Sequence, residues 1–243
     1  KTTEDQEEAA KMFQKYDLTA MPVVDSEDRM VGIITIDDIV DVLQEENTED
    51  IEKMAAINPT TNKTYLKTGI IETWKARIPW LMILMLSATF TGKIIQVYEE
   101  ALTAYVILTS FIPMLMGSAG NAGGQSSVTI IRSLSLGDIE FEDTWKVIWK
   151  ELRVAILCGL TLAVVNLIKL IIVDKVTFMV ATVVSLTLLI TIIISKIVGS
   201  TLPILVKKIH LDPAVMASPI ITTIIDALSL VIYFQIATNL LSL

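Results

Sequence analysis

A single carboxylate interrupts a long apolar run near the end of the chain. Asp226 is the only charged residue between Pro213 and Leu243, and it lies in the middle of the segment SPIITTIIDALSLVIYF. An acid at the centre of a lipid bilayer costs about 2.5–3.5 kcal/mol on insertion scales, so it normally faces a bundle interior, an aqueous cavity or a cation. The alternative is a carboxylate that neighbouring hydroxyl groups satisfy, without a ligand.

Three hydroxyl side chains accompany Asp226 at helical spacing. In a helix, Ser218, Thr222 and Asp226 follow at i, i+4 and i+8 and share one face, with Thr223 beside them. One carboxylate among hydroxyl oxygens suits a hard cation such as Mg²⁺. Because so few ligands would not strip Mg²⁺ of its water, the pattern predicts a wide site that holds the hydrated ion through outer-sphere hydrogen bonds.

A second polar segment lies in the apolar run 101–131. There Pro113 is followed by GSAGNAGGQSS, and glycine at this density disfavours a helix interior. Non-helical backbone at membrane depth is tolerated only where protein buries it or water reaches it. We therefore expect an interrupted helix whose free carbonyl groups, with Gly120, Asn121 and Gln125, form an oxygen-rich pore lining. Close helix packing through small residues is the alternative.

One basic residue, Lys196, also lies inside an apolar run. It is separated from the basic pair Lys207 and Lys208 by roughly 15 Å of helix, which is far for a side chain that must reach the membrane surface. Two interpretations stand: the ammonium group lines an aqueous vestibule, or it pairs with an acid.

The elements that must position these residues are membrane helices. The chain has 243 residues, of which 53% are hydrophobic, and this is too apolar for an ordinary soluble domain. About 20 apolar residues cross the hydrocarbon core as a helix. The sequence predicts an all-α, five-helix transmembrane domain over residues 78–243, with spans at about 78–95, 101–131, 154–173, 177–205 and 214–241.

Basic residues are distributed unequally around these spans. If the N-terminal segment is cytoplasmic, ten Lys or Arg residues flank the inner ends of the spans and only three flank the outer ends. Cytoplasmic loops carry the excess of Lys and Arg in membrane proteins. We therefore expect a multi-pass protein of the cell (inner) membrane, with the N-terminal segment in the cytoplasm and the C-terminus outside.

The first 62 residues differ in character, with sixteen Asp or Glu against five Lys or Arg. Short apolar runs at Met21–Val24 and Met30–Thr35, separated by a polar turn, predict two strands, and helical patterns flank them. We expect a partial α/β module with an acidic helix over residues 1–57, followed by a linker and a connecting helix over residues 58–77.

Carboxylates are dense on the helices of this acidic segment. Asp38 with Asp41, and Glu46 with Glu49 and Asp50, fall at i, i+3 and i+4, so each set shares a helix face. Like charges this close repel one another unless water or cations intervene, and hard divalent cations prefer carboxylate oxygens. The two interpretations are a cation-binding surface and a solvated acidic face.

The sequence also argues against an enzyme. We find no His or Cys pair with the spacing of metal ligands and no nucleophile with a matching base. The glycine segment lacks the Lys-Ser/Thr pair of a phosphate-binding loop. The single cysteine, Cys158, cannot form an intrachain disulfide. We expect neither catalysis nor a nucleic-acid partner.

Three segments together resemble one family. The stretch PVVD…VGIITIDDIV is similar to the second half of a CBS module, while GNAGGQS and DPAVMASPIITTIIDALS resemble the two signatures of the MgtE family of magnesium channels and transporters. The resemblance covers essentially the whole chain. It implies a homodimer in the lipid bilayer, with a pore on the two-fold axis lined by spans two and five. By the family pattern, a cytosolic domain, a first CBS module and part of the second would precede Lys1.

The resemblance also implies roles for individual residues. Asp226 matches the pore acid of the family, and Asn121, Ser218 and Thr222 lie at positions near the ion path. In the family, Mg²⁺ bound between acidic cytosolic surfaces holds the pore closed through a plug-like connecting helix. The acids at positions of that type are Asp5, Glu7, Asp17, Asp38, Asp41, Glu46, Glu49 and Asp50, and Asp212 could share an ion with the connecting helix.

The sequence thus predicts a Mg²⁺-selective channel that moves the hydrated ion into the cytoplasm, with Co²⁺, Mn²⁺ and Ni²⁺ as further candidate cargo. Two alternatives remain. An exchanger would couple Mg²⁺ to Na⁺ or to protons carried by Asp226. A membrane-anchored sensor of divalent cations would bind ions at the acidic surface without any flux.

Overall fold

A computed structural model describes residues 1–59, 65–209, 211–216 and 218–241, without the side chains of Ala101, Met216 and Ser218. The chain divides into two compact units, residues 1–53 with 58–76 and residues 54–57 with 77–243. The α-helices and strands are, in chain order, α1 (Gln6–Tyr16), β1 (Ala20–Val24), β2 (Met30–Thr35), α2 (Ile36–Met54), α3 (Ile70–Val97), α4 (Glu99–Ala104), α5 (Ile112–Ser135), α6 (Thr144–Ile172), α7 (Phe178–Lys208) and α8 (Ser218–Leu241).

The first unit is built on an antiparallel hairpin of β1 and β2, in which Ala20 pairs with Thr35. Its small core contains Ala10 and Phe13 from α1 and Ile39 from α2, packed against apolar side chains of both strands. The predicted succession of strand, turn, strand and helix is confirmed. The acidic stretch after the hairpin belongs to one continuous helix, α2.

The start of α2 is held by a contact from its own first turn. The Asp38 carboxylate accepts hydrogen bonds from the backbone N–H of Thr35 over 3.0 Å and from the Thr35 hydroxyl over 2.8 Å. Both hydrogen bonds lower the pKa of Asp38 below its usual value, and the bond from the N–H has the larger effect. The carboxylate satisfies an N–H group that a helix start otherwise leaves without a partner, and this stabilises the first turn.

We expect Asp38→Ala to speed hydrogen exchange of the backbone amides in the first turn of α2, measured on the whole chain by mass spectrometry and corrected for intrinsic rates. A group with a lowered pKa stabilises the fold above its usual pKa of about 4. The difference from the parent should therefore vanish as the pH falls through the lowered pKa of Asp38. Asp37→Ala is the matched control, and equal exchange in both variants would contradict the assignment.

The second unit is a helical bundle organised around α7, which packs against α5, α6 and α8. In the described part of the chain, five long apolar helices have the length and composition to cross a membrane, the first of which begins in the first unit, and they confirm the predicted five-helix, all-α domain. They comprise Ile70–Val97, Val106–Ser135, Phe141–Ile172, Phe178–Lys208 and Pro219–Leu241. The most apolar stretch of α3 is exposed, whereas the most apolar stretch of α7 is the most deeply buried among the five helices.

The expected connecting helix and first span form one helix, α3, which continues through Pro79. Proline removes one backbone hydrogen bond and kinks a helix, but at membrane depth ending the helix would leave more groups without partners. The short 3₁₀ turn Tyr65–Lys67 is separate from it.

The prediction of a helix interrupted at the glycines is wrong. Helix α5 runs without a break through Gly117, Gly120, Gly123 and Gly124, so its backbone carbonyls are engaged in the helix. The break lies earlier, between the short helix α4 and α5, where Val106–Phe111 forms a 3₁₀ segment. At Gly120 and Gly123 the close packing that was the alternative explains the glycine, because neighbouring helices touch the α5 backbone where side chains are missing, whereas a Cβ atom added to Gly117 would meet nothing within 4 Å.

Candidate cation site

The Asp226 carboxylate lies half-buried on α8, directly against the backbone of α5. A methyl group added to Gly120 would lie 3.8 Å from Asp226 Oδ1 and 3.3 Å from Thr222 Cγ2. Because Gly120 has no side chain, nothing on α5 separates its backbone from the acid and the hydroxyl. Gly120, Thr222 and Asp226, all predicted as site residues, are thus brought together by the fold.

The hydroxyl groups of Thr222 and Thr223 donate to a backbone carbonyl and not to the acid. Thr222 Oγ1 and Thr223 Oγ1 both donate to the Pro219 carbonyl, over 3.0 and 2.9 Å. Their remaining lone pairs can accept hydrogen bonds from the water shell of a cation. Within the described residues, no group donates a hydrogen bond to Asp226 and no base pairs with it. Neither threonine therefore satisfies the carboxylate in the way that the alternative requires.

The polar side chains of α5 lie on its exposed face. Asn121 and Gln125 are one turn apart and both exposed, and Asn121 follows Gly120 in the chain. We call this set of polar residues, Asn121 and Gln125 on α5 with Thr222, Thr223 and Asp226 on α8, the polar groove; α5 and α8 meet in it at Gly120. Ser218 begins α8, and its side chain lies outside the described residues.

Helices α5 and α7 approach each other more closely than side chains would allow. A Cβ atom added to Gly199 would meet the backbone of Gly123, with the Gly123 carbonyl oxygen nearest and its C and Cα atoms at 2.8 and 2.9 Å. A Cβ added to Gly123 would lie 3.0 Å from the Ser195 carbonyl oxygen. The same α5 segment therefore packs on α7 on one side and faces the polar groove on another.

Lys196 is linked to an acid through a hydroxyl group. Its Nζ atom donates to Ser126 Oγ over 3.2 Å, and the Ser126 hydroxyl donates to Glu151 Oε2 over 2.6 Å. Lys196 and Ser126 are buried. Sequence reasoning missed Ser126 and Glu151, although a buried lysine requires a partner and Glu151 is the one acid of α6.

Several acids predicted to bind regulatory cations have local partners in the first unit. Asp5 accepts a hydrogen bond from the N–H of Glu7 over 2.9 Å and so caps α1, while Glu7 pairs with Lys11 at 3.0 Å. Asp17 ends the same helix with a left-handed φ of 51°. These roles stabilise α1, and they leave carboxylate oxygens free to accept further bonds.

Acids on the face of α2 likewise have partners in the first unit. Glu46 accepts a hydrogen bond from Gln6 Nε2 over 2.9 Å, and Glu49 pairs with Lys53 at 2.6 Å. In the second unit, Asp212 accepts from the Ala214 N–H over 2.8 Å. The predicted set also includes Asp38, Asp41 and Asp50. Over the described part of this one chain, no three acidic, His or Cys side chains are grouped closely enough to hold a metal, so the regulatory sites stay a prediction.

Five apolar helices and an intramembrane carboxylate in an open polar groove define a multi-pass helical membrane protein, joined here to an acidic α/β module. The model of the MgtE family, described as a divalent cation transporter, matches residues 112–236, and the CBS domain model matches residues 1–45. The family match covers more than half of the chain and includes α5, α6 and α7. The chain belongs to the MgtE family.

Three relatives bear the name magnesium transporter MgtE. The protein of Thermus thermophilus is 38% identical over 99% of this chain and 53% of its own length. The Bacillus subtilis protein is 38% identical, and the Enterococcus faecalis protein 33%, each over 97% of this chain and 51% of its own length. The chain therefore spans about half the length of the curated relatives it matches.

Proposed function

We propose that this chain forms a Mg²⁺-selective channel in which Asp226 draws hydrated Mg²⁺ into the polar groove. The observation that carries the proposal is an intramembrane carboxylate without a protein partner among the described residues, at an open edge between two membrane helices. The names of the relatives support Mg²⁺ as the transported ion. Inward movement of a divalent ion gains about 4.6 kcal/mol per 100 mV, twice the value for one charge, so the membrane potential suffices as the driving force.

The chemistry of the groove suits an ion that keeps its water. Asp226 accepts hydrogen bonds from the water molecules of Mg²⁺ and supplies the opposite charge. Thr222 and Thr223, whose protons are engaged by Pro219, act as further acceptors. Asn121 and Gln125 offer both amide donors and acceptors on the facing helix. Contacts made through the ion's own water molecules hold the ion loosely enough for it to leave again.

The α5 side chains of the polar groove are exposed, and a second copy of the chain would cover them. A homodimer with the two-fold axis along the groove places two Asp226 carboxylates around one path and doubles their attraction for a divalent ion. The excess of basic residues on one side of the spans supports a cytoplasmic N-terminal unit, an outside C-terminus and inward flux.

The acidic first unit would regulate this channel. At high cytosolic Mg²⁺, cations screen the repulsion between acidic surfaces and favour a compact, closed state. At low Mg²⁺ the surfaces repel each other and the path opens. The dense carboxylates of α2 support this proposal.

In the full-length protein, we expect neutralising Glu46, Glu49 and Asp50 together to shift closure to Mg²⁺ concentrations roughly tenfold higher, because the ions that hold the surfaces together lose three ligands while the remaining acids of the unit still repel one another. The measurement is Mg²⁺ flux against Mg²⁺ concentration on the cytoplasmic side. The control neutralises Glu4, Glu8 and Glu27, which changes the net charge equally at other positions. An unaltered dose response in the first variant, or an equal shift in the control, would count against regulation by this face.

A coupled exchanger differs from a channel in its response to other gradients. Liposomes that contain the chain can be given a Na⁺ gradient or a pH gradient at constant membrane potential. We expect the initial rate of Mg²⁺ uptake to stay the same under both. A rate that follows either gradient would identify the exchanger, and binding to the acidic unit without uptake would identify the sensor.

A further inference from the structure

The membrane unit contains a largely buried ionic chain that the proposed conduction path does not use. Lys196 Nζ donates to Ser126 Oγ over 3.2 Å, and Ser126 donates to Glu151 Oε2 over 2.6 Å. Lys196 is 6% exposed and Ser126 is 3% exposed. Since one hydroxyl can accept from an ammonium group and donate to a carboxylate at the same time, the three side chains form a single polarised chain of charge-assisted hydrogen bonds.

The ionic chain joins three helices, with Ser126 on α5, Glu151 on α6 and Lys196 on α7. Well-packed apolar side chains would stabilise the same bundle at least as well, because buried charges carry a desolvation cost. Hydrogen bonds to charged groups require a defined geometry, unlike apolar packing. They therefore oppose sliding and rotation of the helices that they join. The ionic chain is therefore suited to fixing position.

The ionic chain fixes the position of α5, the helix that borders the polar groove. Gly123 lies one turn before Ser126 and packs on the Ser195 carbonyl, beside Lys196 in the sequence. Gly120 lies a further turn along α5, about 9 Å from Ser126 at 1.5 Å per residue, and it faces Asp226 and Thr222. The ionic chain, the glycine contact and the acid therefore follow one another along two turns of the same helix.

We propose that Lys196 and Glu151 are positioning residues for Mg²⁺ conduction, which act through Ser126 to hold α5 at the distance from Asp226 that a hydrated ion requires. This inference rests on the proposed function. None of the three side chains touches the ion. Their effect is transmitted by α5, because a rigid helix carries a shift at Ser126 to Gly120.

The test compares Ser126→Ala with the parent chain in liposomes. A displacement of about 1 Å at a reacting group can lower a rate by up to a hundredfold, so we expect maximal Mg²⁺ flux to fall about tenfold or more and the half-maximal Mg²⁺ concentration to change. Ser185→Ala is the matched control, because Ser185 is equally buried and accepts a hydrogen bond from Asn166 over 3.3 Å, between α6 and α7 alone. Its flux should match the parent. Flux of Ser126→Ala equal to that of the control would overturn the inference.

A double variant separates positioning from charge balance. Lys196→Met with Glu151→Gln removes both charges together and leaves no uncompensated ion in the bundle. If the ionic chain only balances charge, the folded double variant conducts like the parent, which would contradict the inference alone. Positioning predicts altered half-maximal Mg²⁺ and reduced flux in protein that still elutes and melts as folded material. No flux in the parent itself would instead contradict the proposed function and this inference with it.

Discussion

Replacing Asp226 with alanine is expected to lower Mg²⁺ flux through the chain by about a hundredfold or more. At about 5 Å and an effective dielectric constant of about 20, one carboxylate attracts a divalent ion by about 7 kcal/mol before desolvation is subtracted. A hundredfold change in rate corresponds to only about 2.7 kcal/mol. A hundredfold loss of flux is therefore expected even if desolvation offsets more than half of this attraction. The measurement is the initial rate of Mg²⁺ uptake into liposomes that contain an Mg²⁺-sensitive dye.

Two further variants isolate the charge as the cause. Asp226→Asn keeps the shape and removes the charge, so its flux should fall nearly as far as that of the alanine variant. Ser229→Ala changes a residue on the same helix that is 2% exposed, and its flux should stay at the parent level. An asparagine variant that conducts like the parent would remove Asp226 from the conduction path.

The second large effect is expected at the contact of α5 with α7. In Gly199→Ala the new methyl group would meet backbone atoms of Gly123, including its carbonyl carbon at 2.8 Å, whereas carbon atoms normally rest about 3.5–4.0 Å apart. Overpacking of this kind costs about 1–3 kcal/mol, and backbone atoms yield less readily than side chains. We expect a lower melting temperature in detergent and a large loss of flux, because α5 must move relative to Asp226.

Gly92→Ala is the matched control for this substitution. Gly92 lies inside helix α3, and an added Cβ there meets nothing within 4 Å. Alanine is a better helix former than glycine by about 1 kcal/mol, so this variant should be as stable as the parent or more stable. A Gly199→Ala protein that melts and conducts like Gly92→Ala would show that the two helices do not approach as closely as described.

Much of the architecture could be predicted from the residue pattern. The lengths of the apolar runs predict five membrane helices, and the two short apolar runs on either side of a polar turn predict the hairpin of the first unit. The spacing of Thr222 and Asp226 predicts a shared face, and α8 is helical through both. These features are local, since they depend on periodicity along one element.

Contacts between helices could not be predicted in the same way. The glycines of α5 weaken a helix in isolation, but the close contact of Gly123 with Gly199 favours a continuous helix, and spacing along α5 carries no information about α7. Lys196 could be recognised as needing a partner, while Ser126 stands 70 residues away in the sequence. Such pairs are defined only when the packing of the bundle is known.

The measurement that tests the central claim most directly is Mg²⁺ uptake by the parent chain in sealed liposomes under an imposed membrane potential, without Na⁺ or pH gradients. A potential negative inside supplies about 4.6 kcal/mol per 100 mV for a divalent ion. We predict uptake that rises as the interior is made more negative and that falls nearly a hundredfold when Asp226 is replaced by asparagine. Uptake that is absent at every potential, or that is unaffected by the loss of the Asp226 charge, would contradict a Mg²⁺ path along the polar groove.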